Sequence, residues 1–325
     1  MKENLSHDEM VASMTGGMVM PSKEFTGSSR LHPDGRPKKA FRDDLRKISN
    51  SKNSFSVILS LLFPPLIVWV TMIYSHPLVW IFSIFAMGIA QNRLFIIHHE
   101  AAHRLLFSNQ KINDVIGIRL IGWLAFGSGS HGYRIGHIRH HRDEFGPQEP
   151  DFVLYSFYPI PKSSMGRKLL RDLSGVSAFR ILRPRFQRLN DLRHLRLTIS
   201  FLSGQMMVAA FFWIFSNLTT YLFLWIIPWV CVYQFLNRIR AITEHGGMTQ
   251  SSDRRRTTHY IRQNRLANFF FVPLNVGYHL AHHVDMLVPY RNLPLLDKAL
   301  MEDGYISPDL IWPNYRSLWK ALILK

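Results

Sequence analysis

The stretch Asn275-Val276-Gly277-Tyr278-His279-Leu280-Ala281-His282-His283 shares the spacing His-x-x-His-His with an earlier one, His137-Ile138-Arg139-His140-His141. Positions i, i+3 and i+4 of a helix lie on one face, so each copy is expected to aim three imidazoles at one point. His99 and His103, within His98-His99-Glu100-Ala101-Ala102-His103, add a pair at i and i+4. Neutral imidazole is a ligand for iron, zinc, copper or nickel. A bound zinc takes about four ligands, so this many convergent imidazoles point to two metal ions rather than one. His245 follows the last long apolar run and is the choice for a ninth ligand. His7, His32, His76, His98, His131, His194 and His259 are read as non-ligands, although His98 is only about 100° around a helix from His99.

Such a site must be carried by the apolar elements beside it. A helix rises about 1.5 Å per residue and the bilayer core is about 30 Å thick, so roughly 20 apolar residues cross it. Four runs qualify, in two pairs: about 55–74 and 77–97, separated by Ser75-His76, then about 197–215 and 218–236, separated by a Ser-Asn turn. The expected fold is all-α: an integral membrane protein of four transmembrane helices in two hairpins, with a helical cap carrying the histidines. Lys and Arg fill 36–52, 104–196 and the chain beyond 238. Basic loops mark the cytoplasmic side, so both termini and the histidine site are expected to be cytoplasmic. Trp69, Tyr74, Trp80, Trp225 and Trp229 are candidates for interfacial anchors.

The formal charge of +17 raises nucleic acid as a partner. Basic tracts flanking apolar spans, however, serve orientation and headgroup contact, and no nucleic-acid partner is expected. Cys231 is the single cysteine. It excludes an intrachain disulfide framework and a cysteine-held iron–sulfur centre, so electrons for any redox reaction come from another protein.

Residues 1–53 lack helical or strand periodicity and read as a disordered basic lead-in. His32-Pro33-Asp34-Gly35 resembles a cytochrome b5 haem motif, but the lead-in is too short for that domain. Residues 54–300 form the membrane domain and 301–325 a C-terminal cytoplasmic tail. Pro64-Pro65 should kink or interrupt the first span. The stretch from Ile112 to Phe126, with Asp114 and Arg119, reads as an interfacial or core helix. Gly127-Ser128-Gly129-Ser130 reads as a flexible break. Asp253-Arg254-Arg255-Arg256 reads as a solvated or headgroup-facing loop.

The three histidine groups resemble those of the membrane fatty acid desaturase and hydroxylase superfamily. Glu149-Pro150-Asp151 is similar to its acidic element, Glu244-His245-Gly246 to its extra-histidine element, and Asn275 through Asn292-Leu293-Pro294 to its third histidine region; together with the spans the likeness covers roughly residues 50–300. The resemblance implies two iron ions held by His99, His103, His137, His140, His141, His245, His279, His282 and His283, with no catalytic residue separate from these ligands. It also implies O2 as co-substrate, a fatty acyl chain as substrate, and an external donor of ferredoxin or cytochrome b5 type. Glu100, Glu144, Asp151, Glu244 and Asp285 are candidates to orient the imidazoles, and Asn275 to hold a water at the metal.

Unactivated methylenes offer neither an acidic proton nor a leaving group, which favours oxidative over acid–base chemistry. The expected function is an O2-dependent membrane oxidoreductase, a fatty acyl desaturase in the first instance. The alternative is a lipid, carotenoid or alkane hydroxylase of the same superfamily. His99-Glu100-Ala101-Ala102-His103 also fits the His-Glu-x-x-His zinc-protease pattern, but an intramembrane protease leaves both His-x-x-His-His groups unused. A metal transporter or sensor would line a path through the spans instead of gathering ligands beside them.

Overall fold

A computed structural model of the chain describes residues 6–13 and 18–324. In chain order its main helices are α1 (His7–Ser13), α2 (Lys39–Leu45), α3 (Asn50–Tyr74), α4 (Pro77–Ala102), α5 (Gly132–Arg142), α6 (Val176–Gln187), α7 (Leu192–Phe215), α8 (Leu218–His245), α9 (His279–Val284) and α10 (Leu293–Glu302). The departures from an all-α fold among the described residues are four strands of two residues each. They pair in parallel, β1 (Ile160–Pro161) with β4 (Ile323–Leu324) and β2 (Tyr260–Ile261) with β3 (Ile311–Trp312).

The chain divides into two compact units. An apolar unit comprises Ile48–Arg134 and Arg167–Arg238, and a polar unit comprises Met1–Lys47, Ile135–Gly166 and Ile239–Lys325.

In the apolar unit, α3, α4, α7 and α8 are long and apolar enough to cross a membrane, which makes the chain membrane-associated. Each begins or ends one to three turns beyond the apolar run in the sequence. The reason is that helical hydrogen bonds are backbone bonds and continue under polar side chains. Asp191 caps α7 by accepting from Arg193 N at 2.7 Å, and Asn217 caps α8 by accepting from Thr220 N at 2.8 Å. Against expectation, α3 runs unbroken through Pro64 and Pro65. Two missing N–H donors cost it two bonds, and the turns on either side keep theirs.

Thr71 of α3 donates to Ser83 of α4 at 2.6 Å. Gly88 of α4 lies so near α8 that an added Cβ would meet Val232 Cγ1 at 2.4 Å. Small residues permit such close helix packing in membranes. Gly88→Ala is expected to destabilise the protein by about 1–3 kcal/mol through overpacking, read as a lower thermal midpoint in detergent. Gly166→Ala, inside the helix Lys162–Leu173 with nothing within 4 Å of its added carbon, should not lower the midpoint, since alanine favours the helix over glycine. The stretch Asn113–Leu120 is π-wound and continues as helix through Ile121–Leu124. The Gly-Ser break after it is tied down rather than loose, with Ser200 Oγ donating to the Ser128 carbonyl at 2.8 Å.

In the polar unit the lead-in is ordered where it is described, contrary to the expectation of disorder. The part of that expectation falling on residues 1–5 and 14–17 lies outside the described residues. Leu31 and Leu45 are buried. Arg46 makes a bidentate pair with Asp285, each oxygen 2.8 Å from Nη2, and Arg30 Nε donates to Asp303 at 3.2 Å. These partners lie more than 200 residues away in sequence, so local composition gave no sign of them. The Pro33-Asp34-Gly35 turn is closed by a bridge between Leu31 and Pro37, and Gly35, at φ +81°, packs on the Tyr305 ring. The tail after residue 300 belongs to the same core, with Leu318 and Leu322 fully buried.

Candidate metal centre

Seven of the nine expected ligands lie in the polar unit and two in the apolar unit. In the polar unit, α5 carries His137, His140 and His141, the end of α8 carries His245, and α9 carries His279, His282 and His283. All seven are buried. They do not converge on one point. His140, His245, His279 and His283 each offer a nitrogen within 4.8 Å of the others, and so, as a second set, do His137, His141 and His282.

Both His-x-x-His-His copies are therefore split between two sets. Residues i and i+4 differ by only about 40° around a helix, whereas i+3 and i+4 differ by about 100°. His137 stays with His141 while His140 turns away, and His279 stays with His283 while His282 turns away. In the apolar unit, His99 on the last turn of α4 and His103 at its C-cap keep the i, i+4 relation, with ring centroids 5.0 Å apart.

Three of the four outer nitrogens in the first set are held by protein. His140 Nδ1–H donates to the Glu149 carboxylate at 2.8 Å, His245 Nδ1–H to the Thr257 carbonyl at 2.8 Å, and His283 Nδ1–H to Glu144. His279 Nδ1 lies 3.5 Å from Glu244, which Arg240 holds at 3.3 Å. Such partners fix ring orientation and tautomer, leaving Nε2 for a ligand. The Nε2 atoms of His245 and His279 lie 3.1 Å apart, as do those of His137 and His141.

His283 Nε2 is buried and has no hydrogen-bond partner among the described residues. A buried polar atom left so costs about 1–3 kcal/mol, and a cation among these lone pairs removes that cost. An all-nitrogen set of neutral imidazoles suits a first-row transition metal. For His279 and His283 the electrostatics agree. Burial, reinforced by the neighbouring imidazoles, holds His279 and His283 well below the usual histidine range, so both stay neutral. Burial also works against charge on His140, but the Glu149 carboxylate outweighs it and lifts that ring to about 9. Phe145 and Tyr155, with ring centroids 6.4 and 5.0 Å from His245, wall one side with apolar surface.

Several expectations need correction. Glu149, not Asp151, takes the imidazole; Asp151 donates its backbone N–H to Glu149 at 2.8 Å. Asp285 is turned to Arg46. Asn275 has both side-chain groups engaged, accepting from Asn268 at 3.0 Å and donating to the Tyr290 carbonyl at 3.2 Å. The Asp253–Arg256 loop is not solvated: Arg254 pairs with Glu144 at 2.7 Å and donates to the His141 carbonyl at 2.8 Å, while Arg255 is buried over the Tyr305 ring. Glu149, Thr257 and Arg254 are thus the residues the sequence reading missed. Glu149 alone had a sequence signal, as first residue of the acidic Glu-Pro-Asp element.

Two buried histidines read as non-ligands have other partners. His98 Nδ1 bonds the Gly117 carbonyl at 2.9 Å, and His259 uses both nitrogens, donating to Gly246 O at 2.7 Å and accepting from Trp312 Nε1 at 3.1 Å.

Comparison with known proteins agrees with this arrangement. The fatty acid desaturase family model matches residues 74–314, a range holding all nine histidines. The chain is 26% identical over 256 residues to the dihydrorhizobitoxine desaturase of Bradyrhizobium elkanii, an alignment covering 72% of each protein. The zinc-protease reading of His99-Glu100-Ala101-Ala102-His103 falls with these matches. A family model spanning most of the chain, two sets of buried imidazoles and four membrane-length helices lead to one conclusion: this chain belongs to the fatty acid desaturase family and is an oxidoreductase.

Proposed function

We propose that the chain is an O2-dependent di-iron desaturase acting on a lipid hydrocarbon chain, with both termini and the histidine site on the cytoplasmic side. In this reading His140, His245, His279 and His283 hold one iron, and His137, His141 and His282 belong to the other. Three imidazoles leave a metal short of its usual complement, and His99 and His103 are the remaining histidines at ligand spacing. The four spans pair as two hairpins.

The observation that carries the proposal is the four-imidazole set with three of its outer nitrogens anchored. Bound iron supplies the oxidising power, with O2, to remove hydrogen from methylenes that acid–base groups cannot attack. The chain's own residues do the rest. Glu144, Glu149 and the Thr257 carbonyl keep Nε2 of their histidines aimed inward, Arg254 holds Glu144, and Phe145 and Tyr155 exclude water from the His245 side. Electrons come from a separate protein, since Cys231 alone builds no iron–sulfur centre. The basic polar unit suits an acidic ferredoxin or cytochrome b5.

A second reading rests on the relative, whose name gives dihydrorhizobitoxine and not a fatty acyl chain as its substrate. The substrate here is then another molecule with adjacent CH2 groups. Mass spectrometry of lipids and small metabolites from cells with and without the gene tests both readings. Loss of two hydrogens from a lipid class supports the proposal, and the same loss from a non-lipid supports the second reading. Gain of one oxygen makes the protein a hydroxylase.

A further inference from the structure

We infer that the segment from Leu170 to Arg196, centred on α6, is an in-plane docking surface for anionic phospholipid headgroups. At 12 residues α6 is too short and too basic to span a bilayer. Its Ser177 and Ala178 face inward and are buried, while Val176, Phe179 and Phe186 form an outward stripe at spacings of three and seven residues. Phe179 is 64% exposed and Phe186 44%. The apolar surface continues through Leu170 and Leu173 before the helix and Leu189 and Leu192 after it, all exposed.

Arg180 and Arg183 flank this stripe and Arg188 lies just past its end, all three exposed. Between Arg167 and Arg196 there are nine Lys or Arg against two Asp. Both acids are already engaged, Asp172 with Arg238 and Asp191 in the cap of α7, so neither neutralises the stripe. Arg185 is different, turned in over the Phe201 ring at 4.3 Å.

Rings and guanidinium groups on one exposed face are the pattern of a helix lying at the headgroup level. The rings enter the acyl boundary and the cations stay with phosphate. Nucleic acid or an acidic protein would match the charge but leave the phenylalanines in water. Continuity favours lipid further, since α7, one of the four membrane-length helices, begins at Leu192, so this stretch enters at interface depth. The inference needs only α7 as a span and does not depend on the reaction.

The test is thermal unfolding of the full-length detergent-solubilised protein titrated with phosphatidylglycerol, phosphatidylcholine or inorganic phosphate. Phosphatidylglycerol should raise the midpoint while the other two leave it unchanged. The triple variant R180Q/R183Q/R188Q should need about a hundredfold more phosphatidylglycerol for the same rise, with its midpoint in phosphatidylcholine like that of the unmodified protein. Equal response to both lipids, an equal response to inorganic phosphate, or an unchanged titration in the triple variant would each overturn the inference.

Discussion

His283→Ala is expected to strip the protein of metal and reduce turnover to background. Its Nδ1 is fixed by Glu144 and its Nε2 is buried without a protein partner, so the ring has one free function, which is to ligate. Removing a ligand from the four-imidazole set also leaves Glu144 and Arg254 with a hole between them and the remaining rings. The informative control is His259→Ala. That histidine is equally buried, but its two nitrogens are satisfied by Gly246 and Trp312, and burial holds it neutral at about 4. Its loss should cost about 1–3 kcal/mol of stability and leave the metal content per folded chain intact. Metal analysis and thermal unfolding of the two purified variants separate ligand from structural histidine. Full metal content in His283→Ala would remove it from the site.

Glu149→Gln is expected to lower metal affinity or turnover by about 10- to 100-fold. Glutamine keeps the size and one acceptor but not the charge. The carboxylate of Glu149 reaches His140 with both oxygens, at 2.9 and 2.8 Å, and its charge favours the tautomer that carries the proton on Nδ1 and fixes the ring orientation. Asp151→Asn should change either quantity only slightly, because that side chain is not the one on the imidazole. Iron titration of the apoprotein compares the two. A larger loss in Asp151→Asn would reverse the assignment.

The four long helices were legible because their apolar runs are uninterrupted and close to bilayer length. The histidines were legible because ligand spacing on a helix is short-range. What spacing could not show was the sorting of His140 and His282 away from their neighbours. That depends on how α5, α8 and α9 are set in the polar unit, and it turned two expected triplets into one set of four and one of three. Partners distant in sequence were invisible for a related reason. Arg254 reaches Glu144 across 110 residues of chain, and Arg46 reaches Asp285 across 239. Each charge looked like an ordinary surface charge in its own segment.

The lead-in shows the limit of composition. A Ser- and Lys-rich stretch lacks periodicity, yet Leu31, Leu45 and two arginines suffice to fix it once Asp285 and Asp303 are presented by the far end of the chain. Pro64 and Pro65 show the limit of local rules. Two consecutive helix-breakers are tolerated where 25 residues of helix surround them and membrane-buried backbone has no better place for its hydrogen bonds.

Counting the metal in the full-length protein purified from its membrane tests the central claim most directly. Elemental analysis should find two iron atoms per chain, and chelation should remove both together with activity. A single zinc per chain, or iron that stays bound when His140, His245, His279 and His283 are replaced together, would contradict it.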